Sequence, residues 1–268
     1  MKRLENELKV AIESAKEAGK VILDYYISGN AKVKTKSNDT PVTEADLAAN
    51  EIIYKRLRES FPEDGIVSEE METFNGGNGR CWYIDPIDGT KSFIRRTDHF
   101  AVHIGLAENE KVVLGVVYKP TTGEIYYGVP EWKFATRRNY GESFQVPLKI
   151  NGTNKDLTAI ASNSFWQTQL DLFRRIGVNN VLVSGSLGLR FMKLAENQAD
   201  FYLSEGGANT WDVCAPHAIL EAAGGYVRLL NGEEVTYKGA MRFAGEKRIV
   251  AARTKERLNF VRESINNY

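Results

Sequence analysis

The opening of the chain alternates apolar and charged positions with a helical period. The apolar residues that recur three or four positions apart, with lysine and glutamate between them, are Leu4, Leu8, Ile12, Ala15, Gly19 and Ile22. This spacing predicts an amphipathic helix of about six turns. A polar, basic stretch over 32–41 predicts an exposed loop or a short hairpin. Thr43 is the expected N-cap of a second helix, whose buried face should carry Leu47, Ile53 and Leu57.

From Ile66 onward, short apolar runs separated by turn residues replace the helical period. The runs expected to form strands are 66–68, 81–84, 100–107, 112–118 and 125–127. Short connections join the later runs, so the pattern predicts an antiparallel meander.

Beyond about Asn139 the predicted elements alternate in type. Strands are expected at 159–161, 181–183 and 201–203, and helices at 169–176, 187–195 and 213–223. We therefore predict an α+β half over 1–140, with two helices on an antiparallel sheet, and an α/β half over 141–268. The active site is expected between the two halves.

The balanced charge of the chain limits the classes of partner that are expected to bind it. Thirty-five basic residues balance 35 acidic ones, so no general attraction to nucleic acid or to an anionic membrane is expected. Cys81 and Cys214 have the spacing of neither a zinc site nor a disulfide framework. The charged opening residues lack an apolar leader, and no run is long enough to span a membrane, which predicts a cytoplasmic protein.

Acidic residues lie at the ends of several predicted elements. The segment 85–90, with the sequence D-P-I-D-G-T, follows one strand, and Glu69 and Glu70 follow another. Asp212 opens a helix, and Asp46 lies in the first turn of the second helix. Each has a structural explanation when taken alone: a turn, a solvated pair, an N-cap and a capping-box acid.

The interpretation changes if four of these carboxylates meet in space, namely Glu69, Asp85, Asp88 and Asp212. Their mutual repulsion would require cations, and an all-oxygen ligand set favours Mg²⁺ or Mn²⁺ over zinc. Two such ions, about 3.5–4 Å apart, would stabilise the entering and leaving oxygens of a displacement at phosphorus. Gly89 would let the backbone approach a phosphate closely, and Thr90 would offer a hydroxyl to the attacking water.

Four motifs, in order over residues 36–225, resemble those of the inositol monophosphatase superfamily of Mg²⁺-dependent, Li⁺-sensitive phosphomonoesterases. They are T-x-x-D at 43–46, the glutamate pair at 69–70, D-P-I-D-G-T-K-S-F at 85–93, and W-D-V-C-A at 211–215 with A-G-G at 223–225. The resemblance implies a layered αβαβα sandwich, like that of fructose-1,6-bisphosphatase, and a homodimer.

The resemblance also implies roles for individual residues. The implied metal ligands, for two or three Mg²⁺ ions with Mn²⁺ as a substitute, are Glu69, Asp85, the carbonyl of Ile87, Asp88 and Asp212. Glu69 and Thr90 would position the nucleophilic water, and Asp46 would help to orient a third, weaker ion. The backbone N–H groups of Gly89 and Thr90 would hold the phosphate.

The substrate is less well defined by the motifs. Four stretches, 38–46, 91–96, 185–187 and 214–216, look most like the 3′(2′),5′-bisphosphate nucleotidase branch, so 3′-phosphoadenosine 5′-phosphate is the leading substrate. The residues expected to contact it include Gly185, Ser186 and Leu187. Arg95, with its neighbour Arg96, or Lys36 would pair with a second phosphate, although a solvated turn explains the two arginines equally well.

Glu205 favours a different substrate. It matches the glutamate that accepts hydrogen bonds from substrate hydroxyls in inositol monophosphatases, and a buried acid suits a polyol or an amine better than a second phosphate. Inositol 1-phosphate, histidinol phosphate and fructose 1,6-bisphosphate therefore remain alternatives. A non-catalytic metal-binding protein of the same fold, or a calcium-stabilised structural protein, is the competing class. His99, His103 and His217 are not spaced as ligands, and none is expected to be essential.

Overall fold

A computed structural model of the chain describes residues 2–36, 41–139, 141, 144–152 and 156–266. Its α-helices in this part of the chain are α1 Glu5–Ser28, α2 Glu44–Ser60, α3 Thr90–Ile94, α4 Leu170–Arg175, α5 Leu187–Ala195, α6 Thr210–Ala222 and α7 Lys255–Asn266. The first strands are β1 Val33–Thr35, β2 Pro41–Thr43, β3 Gly65–Ser68, β4 Arg80–Asp88, β5 Ala101–Glu108, β6 Lys111–Lys119, β7 Glu124–Val129, β8 Phe134–Arg138 and β9 Val146–Pro147. The later strands are β10 Thr158–Ser162, β11 Asn180–Ser184, β12 Phe201–Leu203, β13 Ala208–Asn209, β14 Tyr226–Leu229, β15 Arg242–Phe243 and β16 Ile249–Ala252.

Two large sheets organise these elements. The first has seven strands in the order β3-β4-β5-β6-β7-β8-β9, of which only β3 and β4 run parallel. The second has five strands in the order β11-β10-β12-β16-β14, and β12 runs parallel to β10 and antiparallel to β16. The meander predicted from the sequence is therefore confirmed.

Alternating side chains place helices on both faces of the first sheet. Trp82 and Ile84 of β4 join the cluster formed with α1 and α2, whereas Tyr83 joins the cluster formed with α5 and α6. The outer face of the second sheet packs against Phe173 of α4 and Leu258 of α7. The layers therefore follow the order αβαβα, as the resemblance implied.

Helix α6 lies in direct contact with the first sheet. A Cβ atom added to Gly115 of β6 would lie 2.1 Å from the carbonyl oxygen of Ala215, and one added to Gly105 of β5 would lie 2.7 Å from its nitrogen. No side chain fits between the helix backbone and these strands.

Some local predictions were wrong. Leu47, expected on the buried face of α2, is 43% exposed. Asp212 is not the N-cap of α6, because Asn209 has that position and Asp212 is the third helical residue. The hairpin predicted for the basic stretch is confirmed, in contrast, because β1 and β2 pair antiparallel; residues 37–40 lie outside the described part of the chain. The division into halves at residue 140 remains a prediction. Within the described residues, no helix has the length and apolarity needed to cross a membrane.

Candidate active site

Asp85 and Asp88 lie at the end of β4, where a bulge changes the direction of their side chains. Asp85 is opposite His103 and Asp88 is opposite Ala101, so three steps along β4 match two steps along β5. In a regular strand, residues three apart point to opposite faces, but the extra residue allows both carboxylates to point to the same side. Their residues are 1% and 8% exposed.

Asp212 reaches the same point from α6. Its Oδ2 accepts a hydrogen bond from the backbone N–H of Asn209 at 2.5 Å, which fixes the carboxylate at the start of the helix. One ligand oxygen from each of Asp85, Asp88 and Asp212 lies within 4.8 Å of the other two. Residues more than a hundred positions apart therefore form one acidic cluster.

The cluster lines a cleft of about 350 Å³. The residues predicted for the site that line it are Glu69, Asp85, Ile87, Asp88, Gly89, Thr90, Arg95, Gly185 and Asp212. Asn163 and Ser164 also line the cleft, although the sequence analysis missed them. They follow the predicted strand at 159–161, and their position after a strand end was the available signal.

The carboxylates of the cluster repel one another strongly. Burial raises the pKa of Asp85 well above its usual value, and the charges of Glu69 and Asp88 add to this effect. Burial and the charges of Asp88 and Glu69 also raise the pKa of Asp212, to about 7. Keeping these carboxylates ionised therefore costs free energy, and a bound cation would offset that cost.

Asp88 has a different environment from its neighbours. Burial alone would raise its pKa, but His103, Arg190 and Ser186 outweigh this effect and lower it. Oδ2 of Asp88 accepts hydrogen bonds from the Ser186 hydroxyl at 2.5 Å and from the Gly188 N–H at 2.8 Å. Nε2 of His103 lies 3.1 Å from the same oxygen. Asp88 is thus held in its ionised form.

Thr90 and Asp46 lie beside the cluster. Asp46 is fully buried, closes a capping box with Thr43, and has a pKa that burial raises to about 6. The Thr90 hydroxyl lies 3.2 Å from Oδ1 of Asp46 and 3.1 Å from the carbonyl oxygen of Ile87. Asp46 therefore orients Thr90 at the edge of the cleft.

Lys36 bridges two glutamates at the entrance to the cluster. Its Nζ lies 2.8 Å from Oε1 of Glu69 and 2.6 Å from Oε1 of Glu70. Burial would lower the pKa of Lys36, but the two glutamates raise it overall. Burial also raises the pKa of Glu70, to about 7. Glu69 lines the cleft, but it is not part of the three-acid group.

Four residues predicted to contact substrate, namely Lys36, Ser186, Leu187 and Glu205, do not line the cleft in the described part of the chain. Ser186 is fully buried against Asp88, and Leu187 is 3% exposed. Oε1 of Glu205 is buried and has no hydrogen-bond partner among the described residues. Arg95, in contrast, is exposed at the rim of the cleft.

The donor set fits a hard divalent cation. Asp85, Asp88 and Asp212 offer only oxygen atoms, and their positions bring three negative charges together. Oxygen ligands of this kind suit Mg²⁺ or Mn²⁺.

A family model described as the inositol monophosphatase family matches residues 3–267. The chain belongs to this family. Its relatives are phosphatases, so the chain is a hydrolase that acts on phosphomonoesters. The conserved fold of the family agrees with the layered sandwich described above.

Individual relatives differ in the substrates that their names state. The 3′(2′),5′-bisphosphate nucleotidase CysQ of Salmonella typhimurium is 34% identical over 235 residues, which cover 86% of this chain and 93% of that protein. A histidinol-phosphatase of Chlorobaculum parvum is 40% identical over 158 residues, 59% of this chain and 56% of that protein. The structure of inositol monophosphatase from Anabaena (Nostoc) sp. PCC 7120 has a TM-score of 0.79 and 25% identity, and the match covers 99% of this chain and 97% of that chain.

Proposed function

We propose that this chain is a Mg²⁺-dependent phosphomonoesterase whose leading substrate is 3′-phosphoadenosine 5′-phosphate. The observation that carries the proposal is the convergence of Asp85, Asp88 and Asp212 in a cleft that also holds Gly89 and Thr90. The nearly full-length similarity to a bisphosphate nucleotidase supports the choice of substrate.

The three aspartates, with Glu69 and the Ile87 carbonyl, would hold two or three Mg²⁺ ions. When bound, these ions would supply Lewis acidity toward the phosphoryl group and lower the pKa of water. Residues of the chain would orient the attacking water and hold the phosphate. Thr90, oriented by Asp46, would position the attacking water together with Glu69. Gly89 has a φ of +100°, and a Cβ atom there would lie 2.6 Å from the His99 carbonyl oxygen, so a glycine is needed for the turn whose N–H groups would hold the phosphate.

Arg95 is the proposed contact for a second phosphate. Its side chain lies on the rim of the cleft, where a guanidinium group can bind a phosphate through two hydrogen bonds. Its neighbour Arg96 points elsewhere, because its guanidinium group lies over the Tyr26 ring and donates to the Tyr26 carbonyl oxygen. The two arginines therefore form a matched pair for experiment.

Histidinol phosphate is the second candidate substrate. The observation that favours it is the similarity to a histidinol-phosphatase over 158 residues; the sequence also has an acid at Glu205, although that residue does not line the cleft. An amine-bearing substrate would suit a carboxylate of this kind. Inositol 1-phosphate and fructose 1,6-bisphosphate remain further alternatives.

The deciding experiment is a phosphate-release panel, with and without Mg²⁺, on 3′-phosphoadenosine 5′-phosphate, histidinol phosphate, inositol 1-phosphate and fructose 1,6-bisphosphate. We expect Mg²⁺-dependent release, with the highest kcat/KM for the first compound. Arg95→Met should lower that kcat/KM about tenfold or more, whereas Arg96→Met should change it little. A preference for histidinol phosphate that Arg95→Met leaves intact would replace the leading substrate by the second.

We also propose inhibition by Li⁺ and a homodimeric state, both on the basis of the family resemblance. Millimolar LiCl in the same assay and sedimentation velocity on the purified chain test these two points. Activity that is indifferent to Li⁺ would contradict the first, and a monomer at micromolar concentration would contradict the second.

A further inference from the structure

His103 is a fully buried histidine that touches the acidic cluster from the sheet side. It lies on β5, directly opposite Asp85, and its side chain is 0% exposed. No pattern in the sequence connects it with the site. We propose that His103 is a positioning residue that fixes Asp88 for cation binding, and that Gly188 provides the space for its ring.

Three groups from two different elements meet at a single oxygen of Asp88. The Ser186 hydroxyl and the Gly188 N–H donate to Oδ2, and Nε2 of His103 lies within hydrogen-bonding distance of it. None of these contacts involves Oδ1. The carboxylate is thereby fixed in rotation, with one oxygen occupied by the protein and the other left for a cation.

The isolation of the ring makes this contact its main polar interaction. Among the described residues, neither ring nitrogen of His103 has a hydrogen-bond partner of good geometry, and the ion-pair distance recorded for Nε2 is the 3.1 Å approach to Oδ2 of Asp88. Burying a polar ring in this way is unfavourable compared with an apolar side chain of similar size. An ionised carboxylate can only accept, so a favourable contact with Asp88 requires an N–H at Nε2.

Gly188 and His103 fit each other as a pair. A Cβ atom added to Gly188 would lie 2.0 Å from Nε2 of His103, well inside any normal contact. A side chain at position 188 would therefore push the ring away from Asp88 or displace the start of α5. The same residue donates its N–H to Asp88, so its small size serves both contacts.

The inference rests on the proposed metal-dependent function, but its test measures cation binding rather than turnover. Chelator-treated protein is titrated with MgCl₂ by calorimetry. His103→Phe keeps a ring and removes the donor, and we expect it to weaken Mg²⁺ binding about 10–100-fold. His103→Gln restores a donor near the position of Nε2 and should recover most of the affinity.

The matched control is His217→Phe, which replaces the second buried histidine of the chain. His217 contacts Tyr237 and Glu221 rather than the cluster, so its replacement should lower the melting temperature without changing Mg²⁺ affinity. Mg²⁺ affinity in His103→Phe equal to that of the wild type would overturn the inference. A wild-type protein that binds no Mg²⁺ would instead contradict the proposed function itself.

A second set of variants tests the packing and serves if His103→Phe does not fold. Gly188→Ala should weaken Mg²⁺ binding at least tenfold, because its methyl group occupies the space of the ring. In the double variant His103→Ser with Gly188→Ala, the smaller residue makes room for that methyl group and the hydroxyl offers a donor. We expect the double variant to bind Mg²⁺ more tightly than Gly188→Ala alone. Equal or weaker binding in the double variant would show that the two positions are not coupled in this way.

Discussion

Two regions of the molecule bury charge in opposite ways. Next to the second sheet, Asp200 just before β12 and Arg253 just after β16 form an ion pair at 3.3 Å, with side chains that are 0% and 1% exposed. Arg253 also donates to the carbonyl oxygens of Asn151 and Gly152, and Asp200 accepts a hydrogen bond from the N–H of Thr158. At the candidate active site, three carboxylates of the same sign lie together instead.

The ion pair is an arrangement that serves the stability of the fold, whereas the cluster of like charges is an arrangement that serves function. Around Asp200 the chain provides the opposite charge, and backbone groups form hydrogen bonds with both partners of the pair. Around Asp85 and Asp212 it provides further negative charge, and their pKa values rise. The fold can neutralise a buried carboxylate with an arginine, as it does at Asp200. The like-charged aspartates of the cleft therefore indicate a site for a bound cation.

The largest effect is expected from Asp85→Asn. Removing one shared ligand should lower phosphate release on the order of 10³-fold, because a cation at the site stabilises the transition state by several kcal/mol. The amide keeps the shape of the side chain and removes a repelled charge. Thermal melting in chelator should therefore show a protein at least as stable as the wild type. Undiminished turnover in this variant would remove Asp85 from the reaction.

Removing the arginine of the Asp200–Arg253 ion pair should destabilise the protein, in contrast to removing the charge of Asp85. Arg253→Met leaves Asp200 buried without its cation and should lower the free energy of unfolding by about 3–5 kcal/mol, measured by urea denaturation. Arg174→Met, at an arginine that is largely exposed, is the control and should have little effect. If Arg253→Met were as stable as the wild type, the contrast between the two regions would lose its basis.

Mg²⁺ should stabilise the wild-type protein but not the Asp85→Asn variant to the same degree. At a concentration of 100 times the dissociation constant, binding to the folded state adds about 2.7 kcal/mol to the free energy of unfolding. Differential scanning calorimetry with MgCl₂ and with chelator measures this gain. An equal gain in both proteins would place the cation outside the acidic cluster.

The smallest effect concerns the pH dependence of the chelated protein. The folded-state pKa values of Asp212, about 7, and Asp46, about 6, lie above those of unfolded aspartates, near 3.9. The folded state therefore keeps protons that the unfolded state has released. The stability from these groups is complete below the unfolded pKa and is lost as pH rises through the folded values. One extra bound proton corresponds to about 1.4 kcal/mol per pH unit at most.

We therefore expect the melting temperature in chelator to rise as pH falls from 7.5 to 5.5. Saturating Mg²⁺ should flatten this profile, because bound carboxylates stay ionised. A melting temperature in chelator that falls over the same range would contradict the raised pKa values.

The positions of the three clustered aspartates were predictable because neighbours in sequence determine them. Asp85 and Asp88 end an apolar strand, and Asp212 stands in the first turn of a helix that the sequence predicted, although its start was placed about three residues too late. The helix at 187–195 and the strand at 201–203 were also predicted with their observed bounds. In each case a local pattern of apolar residues and turn residues carries the information.

The side chains that contact the acidic residues of the site could not be predicted in this way. Ser186 meets Asp88 across 98 positions of the chain, and Lys36 meets Glu69 across 33. Such contacts follow from how the two sheets and their helices stack, which no short window of sequence contains. His103 was set aside because it has no neighbouring ligand in sequence, yet its strand partner is Asp85.

The contact between β6 and α6 has a consequence for how variants of this protein should be interpreted. Gly115 touches the Ala215 carbonyl oxygen, three residues beyond Asp212, so the height of the helix above the sheet is set where there is no acid at all. A single methyl group there would lift the first turn of the helix, and every acid of the cluster would still be present. A list of the site residues would class that protein as intact, although Asp212 would no longer be aligned with Asp85 and Asp88.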